Sequence, residues 1–214
     1  MVQFTHIQTH TGGLAGFVDG ISDLDIVTIG GVTHLVSVSG QSGGISSYQV
    51  DTDAPVAASL KDQQAHGPGE TFGTAPLQIE VIDPDGSPSF VAFGGPDEGM
   101  LGYDFAPVNG ELSAAQGISV GDFNDGSVTG FQSITSGGQT FLYASHYLTG
   151  GLTTYEVQNG TPVEVDQDGV GSSYQGVDIT GMARATMDGV DYLFTASTVQ
   201  NAVSAYRILN DGTP

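Results

Sequence analysis

The stretch "GGVTHLVSVSGQSGGISSYQV", residues 30–50, decides the fold, because three later stretches repeat its plan. They are "DGSPSFVAFGGPDEGMLGYDF" (85–105), "GGQTFLYASHYLTGGLTTYEV" (137–157) and "DGVDYLFTASTVQNAVSAYRI" (188–208). Each opens on Gly-Gly or Asp-Gly, and each carries a tyrosine (Tyr48, Tyr103, Tyr155, Tyr206) 17 residues after its second glycine. Those glycines, Gly31, Gly86, Gly138 and Gly189, are 55, 52 and 51 residues apart, so the chain is a tandem repeat.

Gly-Gly and Asp-Gly tolerate positive φ at both corners of a two-residue hairpin turn, whose twist matches the strands it joins. A short strand precedes each turn: "DIVTI", "IEVID", "FQSITS", "ARATM". A strongly apolar one follows: "HLVSV", "FVAFG", "FLYAS", "YLFTA". After a loop of small and polar residues comes a third strand ending at the tyrosine, with Ile45, Met100, Leu152 or Val203 three positions before it. A weaker fourth strand completes the unit, as in "PVAASL" (55–60) and "PVEVD" (162–166). Four antiparallel strands in about 50 residues make a β-propeller blade. The expected fold is therefore all-β: one β-propeller domain over 1–214, of four four-stranded blades at approximately 21–60, 75–115, 128–166 and 177–209. A plain sandwich is the rival; solenoid coils are shorter and are not joined by hairpins.

The chain ends on "NDGTP", where the third repeat continues its "GTP" into a strand, and it begins with the unpaired strand-like run "QFTHIQT" (3–9). Residues 3–9 are expected to supply the outermost strand of the last blade and so close the ring, which hides sheet edges that would otherwise template aggregation. Two alternatives are a segment of a longer array and two chains forming one eight-bladed ring.

Twenty-four acids against Lys61, Arg184 and Arg207 give a formal charge of −21. Such a polyanion is repelled by phosphate backbones and anionic lipid surfaces, so no nucleic-acid partner and no membrane insertion are expected. With no cysteine, disulfides and thiolate metal sites are excluded. The first 20 residues lack a basic start and an apolar core, so an N-terminal signal peptide is not expected.

The acids gather in long connections between repeats. "DFNDGS" (Asp122, Asn124, Asp125) and "DQDGVG" (Asp166, Asp168) set oxygen ligands at alternate positions before a glycine, which suits calcium and turn chemistry equally well. Neither ends in the glutamate of an EF-hand; Ser133 and Val177 stand there. Under propeller topology His66, Asp97, Glu98, Asp122, His146 and Tyr147 emerge on the channel face, where histidine with carboxylates can hold a catalytic divalent metal. His34 aligns with Ser89, Phe141 and Tyr192, and is read as a packing residue. No G-x-S-x-G elbow or phosphate-binding glycine loop occurs, so nothing supports nucleophilic catalysis.

The unit "TIGGVTHLVSVSGQSGGISSYQV", with its "TFLYAS" and "GGLTTYEV" variants, resembles the propeller repeats of large secreted bacterial proteins of the RTX, calcium-binding, type I secretion group. It is more loosely similar to lactonase-like propellers. The resemblance covers nearly the whole chain but carries no catalytic residue, and the nonapeptide G-G-x-G-x-D of RTX arrays is absent. It implies an acidic, cysteine-free extracellular or cell-surface protein exported without an N-terminal signal peptide. The expected function is a non-catalytic binding or assembly module, calcium-stabilised, for a protein or glycan partner or for self-association. The alternatives are a metal-dependent lactonase-like hydrolase with its site at the channel mouth, and a polymerising surface subunit joined by strand exchange.

Overall fold

The computed structural model describes residues 17, 20–39, 43–51, 53, 58–65, 76–82, 89–94, 100–106, 108–114, 116–118, 128–146, 151–159, 161–168 and 179–214. At 76–77, 90–94, 100, 116–118 and 168 it describes the backbone alone. The expected closing strand, residues 3–9, lies outside this set. Four antiparallel sheets follow one another along the chain as propeller blades. The first contains β1 (Ile21–Ile29), β2 (Val32–Ser39), β3 (Gly44–Val50) and β4 (Ala58–Ala65), in that order. The second contains β5 (Pro76–Ile82), β6 (Ser89–Gly94) and β7 (Met100–Ala106), whose outer edge is covered by two short pieces, β8 (Glu111–Leu112) and β9 (Gln116–Ile118). The third is β10 (Val128–Ser136), β11 (Gln139–His146), β12 (Leu152–Gln158) and β13 (Thr161–Asp168). The described fourth sheet has three strands, β14 (Ile179–Met187), β15 (Val190–Ser197) and β16 (Ala202–Arg207).

The hairpin reading holds wherever the turn is described. Gly30 and Gly31 have φ of 57° and 82°, Gly137 and Gly138 of 61° and 87°, and Asp188 and Gly189 of 53° and 75°. Positive φ at both corners is the turn that Gly-Gly and Asp-Gly permit. The repeat reaches into the irregularities too. Every first strand carries a register shift ten to eight residues before the second turn glycine: Ile21/Asp23, Pro76/Gln78, Val128/Gly130 and Ile179/Gly181. A bulge there adds local twist at the same place in each blade.

The outer strands differ from expectation. β4 spans 58–65, not 55–60, and so runs on past Leu60 through Lys61, Asp62, Gln63 and Gln64. The extension has a partner in the next blade, where Leu112 N donates to Asp62 Oδ2 (2.8 Å) and Gln64 Nε2 to Leu112 O (3.3 Å). β13 likewise runs through Asp168, beyond the expected end at 166.

The core lies between blades. Val36, Val38 and Ile45 of the first blade meet Ile79, Leu101, Tyr103 and Phe105 of the second. Ile82 of the second meets Phe131, Leu142, Ala144 and Tyr155 of the third, and Ile134, Phe141, Tyr143 and Leu152 of the third meet Ile179, Leu193 and Ile208 of the fourth. Each blade thus has a forward face turned to its successor and a rear face turned to its predecessor. The repeated tyrosine sits on the rear face: Tyr103 and Tyr155 are fully buried in these layers, and Tyr206 packs against the last. That packing role explains a bulky residue at a fixed distance from the turn.

Beyond β16 the chain folds back onto the third blade. Ile208 is buried, and Tyr143 Oη donates to Gly212 O at 2.8 Å. Gly212 has φ +79°, and a Cβ there would overlap the Phe141 ring. Gly212→Ala combines backbone strain with a clash, so a loss of about 2 kcal/mol is expected, read as a lower urea midpoint at unchanged slope.

Candidate functional site

The first strands of the four sheets, β1, β5, β10 and β14, pair with a neighbour on one side only, so one backbone edge of each is open within its own sheet. They stand side by side in the order β1, β5, β10, β14. Open N–H groups need acceptors, and the preceding blade supplies them. Ile79 N donates to Asp23 Oδ2 (3.1 Å) and Val81 N to Asp25 Oδ2 (3.0 Å). One blade on, Phe131 N donates to Gln78 Oε1 (3.1 Å) and Ser133 N to Glu80 Oε1 (2.8 Å). Asp23 and Gln78 are eight residues before the second turn glycine, and Asp25 and Glu80 six before it. The latch is therefore a repeat feature.

It changes at the third junction. Gly130 and Gln132 occupy the two positions, and Gln132 Nε2 donates back to Glu80 Oε1 (3.3 Å). Thr129 Oγ1 donates instead to Ile179 O, and the Arg184 guanidinium to Ser133 O. In β14 the positions are Gly181 and Ala183, which carry no side-chain acceptor. At the other end of the row, Leu24 N and Ile26 N are already met by Asp23 Oδ1 (2.9 Å) and Asp25 Oδ1 (2.7 Å).

A cleft of about 320 Å³ opens between the first strands, lined by Asp25, Thr28, Glu80, Gln132, Ser133 and Arg184 among others. Burial pushes the Glu80 carboxyl up to about 7; hydrogen bonds from Ser133 oppose the rise, the nearby Asp25 adds to it, and Arg184 offsets part of it. Glu80 Oε1 accepts from Ser133 Oγ (2.6 Å) as well as from Ser133 N. Burial also raises Asp25 above the usual carboxylate range, against the lowering by its bonds from Val81 and Ile26. Asp25, Glu80 and the Arg184 guanidinium are the charged groups that line the cleft.

Of the residues singled out from sequence, His66, Asp97, Glu98, Asp122, Asn124, Asp125 and Tyr147 lie outside the described set. His146 is the last residue of β11, opposite Val128, and is buried with Nε2 2.7 Å from Thr153 Oγ1. Asp166 and Asp168 belong to strand β13, opposite Thr154 and Leu152, and Asp166 is half-buried. Among the described residues no group of three or more His, Asp or Glu is placed to hold a metal. His34 is fully buried, edge-on to Phe105 with ring centroids 4.9 Å apart. The channel trio Asp25, Glu80 and Arg184 was not singled out from sequence. Its signal was present in the repeat register, which aligns Asp25 with Glu80 six residues before the second turn glycine.

No protein-family profile matches the sequence, and no curated protein matches it. Solved structures of similar fold include a provisionally named 6-phosphogluconolactonase from Bacteroides uniformis, at 17% identity and TM-score 0.65 over 90% of this chain and 51% of that one. A provisionally named exo-β-1,3-galactanase from Bifidobacterium bifidum matches at 13% identity and TM-score 0.62, over 89% of this chain and 68% of the other. An α-L-arabinofuranosidase from Clostridium thermocellum matches at 14% identity and TM-score 0.57, over 89% and 70%. The chain thus spans from half to about two thirds of these proteins. At such identities the likeness shows the fold, a β-propeller.

The raised Glu80 pKa has a definite sign for stability. Between 4.5 and about 7 the unfolded side chain ionises while the folded one keeps its proton. Its contribution is therefore fully present below 4.5 and is lost as pH rises through 7, an effect of roughly 3 kcal/mol. Urea midpoints should fall across this window in the wild type. Glu80→Gln, which keeps an acceptor for Ser133, should show a markedly flatter profile.

Proposed function

We propose that this chain is a non-catalytic β-propeller module of an extracellular or cell-surface protein. It binds a protein or glycan partner, or further copies of itself, and neither nucleic acid nor membrane. The observation that supports this reading is the engagement of the channel carboxylates. Asp23 and Asp25 each accept from two backbone N–H groups, one in their own strand and one in the next blade. Glu80 Oε1 accepts from Ser133 N, Ser133 Oγ and Gln132 Nε2. These acids hold blades in register, and a carboxylate bound to the scaffold by several donors is a poor proton shuttle.

A second reading, hydrolysis, has one observation in its favour: the Glu80 carboxyl, pushed up to about 7 by burial, shares the cleft with a second carboxyl group, Asp25. The names of the similar structures, a lactonase and two glycosidases, point the same way. Initial rates on aryl glycosides and on simple lactones separate the two. The binding-module reading expects no turnover above the buffer blank for either the wild type or Glu80→Gln. Turnover that Glu80→Gln abolishes would establish the hydrolase.

Calcium stabilisation and type I export belong to the same proposal and rest on the resemblance and on the "DFNDGS" loop. Melting in millimolar calcium should occur at higher temperature than in EDTA. Coincident curves would remove calcium from the proposal.

A further inference from the structure

Of the three basic residues, Arg184 alone lies on a first strand. It stands five residues before the second turn glycine, where the other blades carry Ile26, Val81 and Ser133, so nothing in the repeat calls for a base there. Its guanidinium is held at one corner: Nη1 donates to Ser133 O and, at 3.3 Å, to Ser133 Oγ. No described residue accepts from Nε or Nη2, and no described acid forms an ion pair with this side chain, although the chain carries 24 acids.

Glu80 is close to Arg184 yet separate from it. The Ser133 hydroxyl donates to Glu80 Oε1 at 2.6 Å and accepts from Arg184 Nη1, so one oxygen stands between the carboxyl and the guanidinium. Oε1 takes every hydrogen bond that described residues give Glu80, and Oε2 has none among them. Asp25 accepts one backbone N–H at each oxygen, and a carboxylate oxygen has room for a second donor. All three charged groups line the cleft of about 320 Å³, together with Thr28, Thr135 and Thr140.

We infer that this cleft binds a free α-amino acid, with its carboxylate on the Nε–Nη2 edge of Arg184 and its ammonium on Glu80 Oε2 and Asp25. Charge selects the class. A simple anion meets two carboxyl groups and the field of a chain at −21, and a simple cation meets the guanidinium. A zwitterion presents both signs in the reverse order and adds no net charge. An α-amino acid carries its ammonium on the carbon next to its carboxylate, which suits protein charges held apart by a single hydroxyl. The Nε–Nη2 edge of a guanidinium offers two parallel N–H groups, the geometry that a carboxylate accepts. A neutral sugar leaves both charges unpaired in the cleft. Size agrees, since about 320 Å³ lies at the small end of the range for small-molecule pockets. This inference goes beyond the partner binding proposed above and holds whether or not the channel is catalytic.

Titration calorimetry on the full chain at neutral pH tests it. The probes are L-alanine, L-threonine, L-leucine and L-phenylalanine, each with its deaminated acid and its decarboxylated amine as controls. At least one amino acid is expected to bind saturably, one to one, and at least tenfold more tightly than either of its own controls. Arg184→Gln and Glu80→Gln should each weaken that binding at least tenfold, with circular dichroism showing that both variants are folded. Lys61→Gln, which removes the same charge from the outer strand β4, should bind as the wild type does. No saturable binding by any of the four amino acids would overturn the inference. So would a deaminated acid that binds as tightly as its amino acid, or an Arg184→Gln variant of undiminished affinity. The comparison of wild type with the controls needs no variant, and glycoside or lactone turnover has no bearing on it.

Discussion

The constraint on which the rest of this structure depends is the open backbone edge of each blade's first strand. A propeller turns these edges inward, where a buried N–H without an acceptor costs more than most single contacts return. Here side chains of the preceding blade provide the acceptors, at fixed positions ahead of the hairpin turn. Asp23 and Asp25 meet Ile79 and Val81; Gln78 and Glu80 meet Phe131 and Ser133. Blade spacing, strand register and the electrostatics of the channel all follow from that arrangement. The high pKa of Glu80 follows as well, because a carboxylate placed to reach the next strand is one withdrawn from water.

The apolar layers between blades work with the latches. A sheet that packs on both faces needs bulky residues at two alternating sets of positions, and the repeated tyrosine is the bulkiest residue of the rear set. Where the latch fades, at the third junction, Arg184 and Thr129 bond to backbone carbonyls instead, and the tail through Tyr143 and Gly212 adds a second tie between the third and fourth blades.

Most of the fold was legible in the sequence, because the repeat displays its own period. Gly-Gly and Asp-Gly turns, apolar second strands and the tyrosine are local or periodic signals, and the described sheets follow them. The outer strands were harder. β4 and β13 extend past their expected ends, β4 because Asp62 and Gln64 find partners on Leu112, which lies in the next blade and leaves no local trace. The candidate site was legible only in part. Acids in glycine-rich loops draw attention by composition, whereas Asp25 and Glu80 sit within strands and acquire meaning only when the repeats are aligned to the turn. His146 falls at the end of a strand, bonded to Thr153, although its surroundings in sequence read as a loop.

The latch also has a direction in time. Synthesis runs from the N-terminus, so Asp23 and Asp25 leave the ribosome well before the backbone of Ile79 and Val81, and Gln78 and Glu80 before that of Phe131 and Ser133. Each new first strand therefore emerges beside a blade that already carries its acceptors. Unpaired edges are the surfaces by which nascent β-proteins aggregate. In this chain the order of translation shortens the interval during which two of the three internal edges stay uncovered.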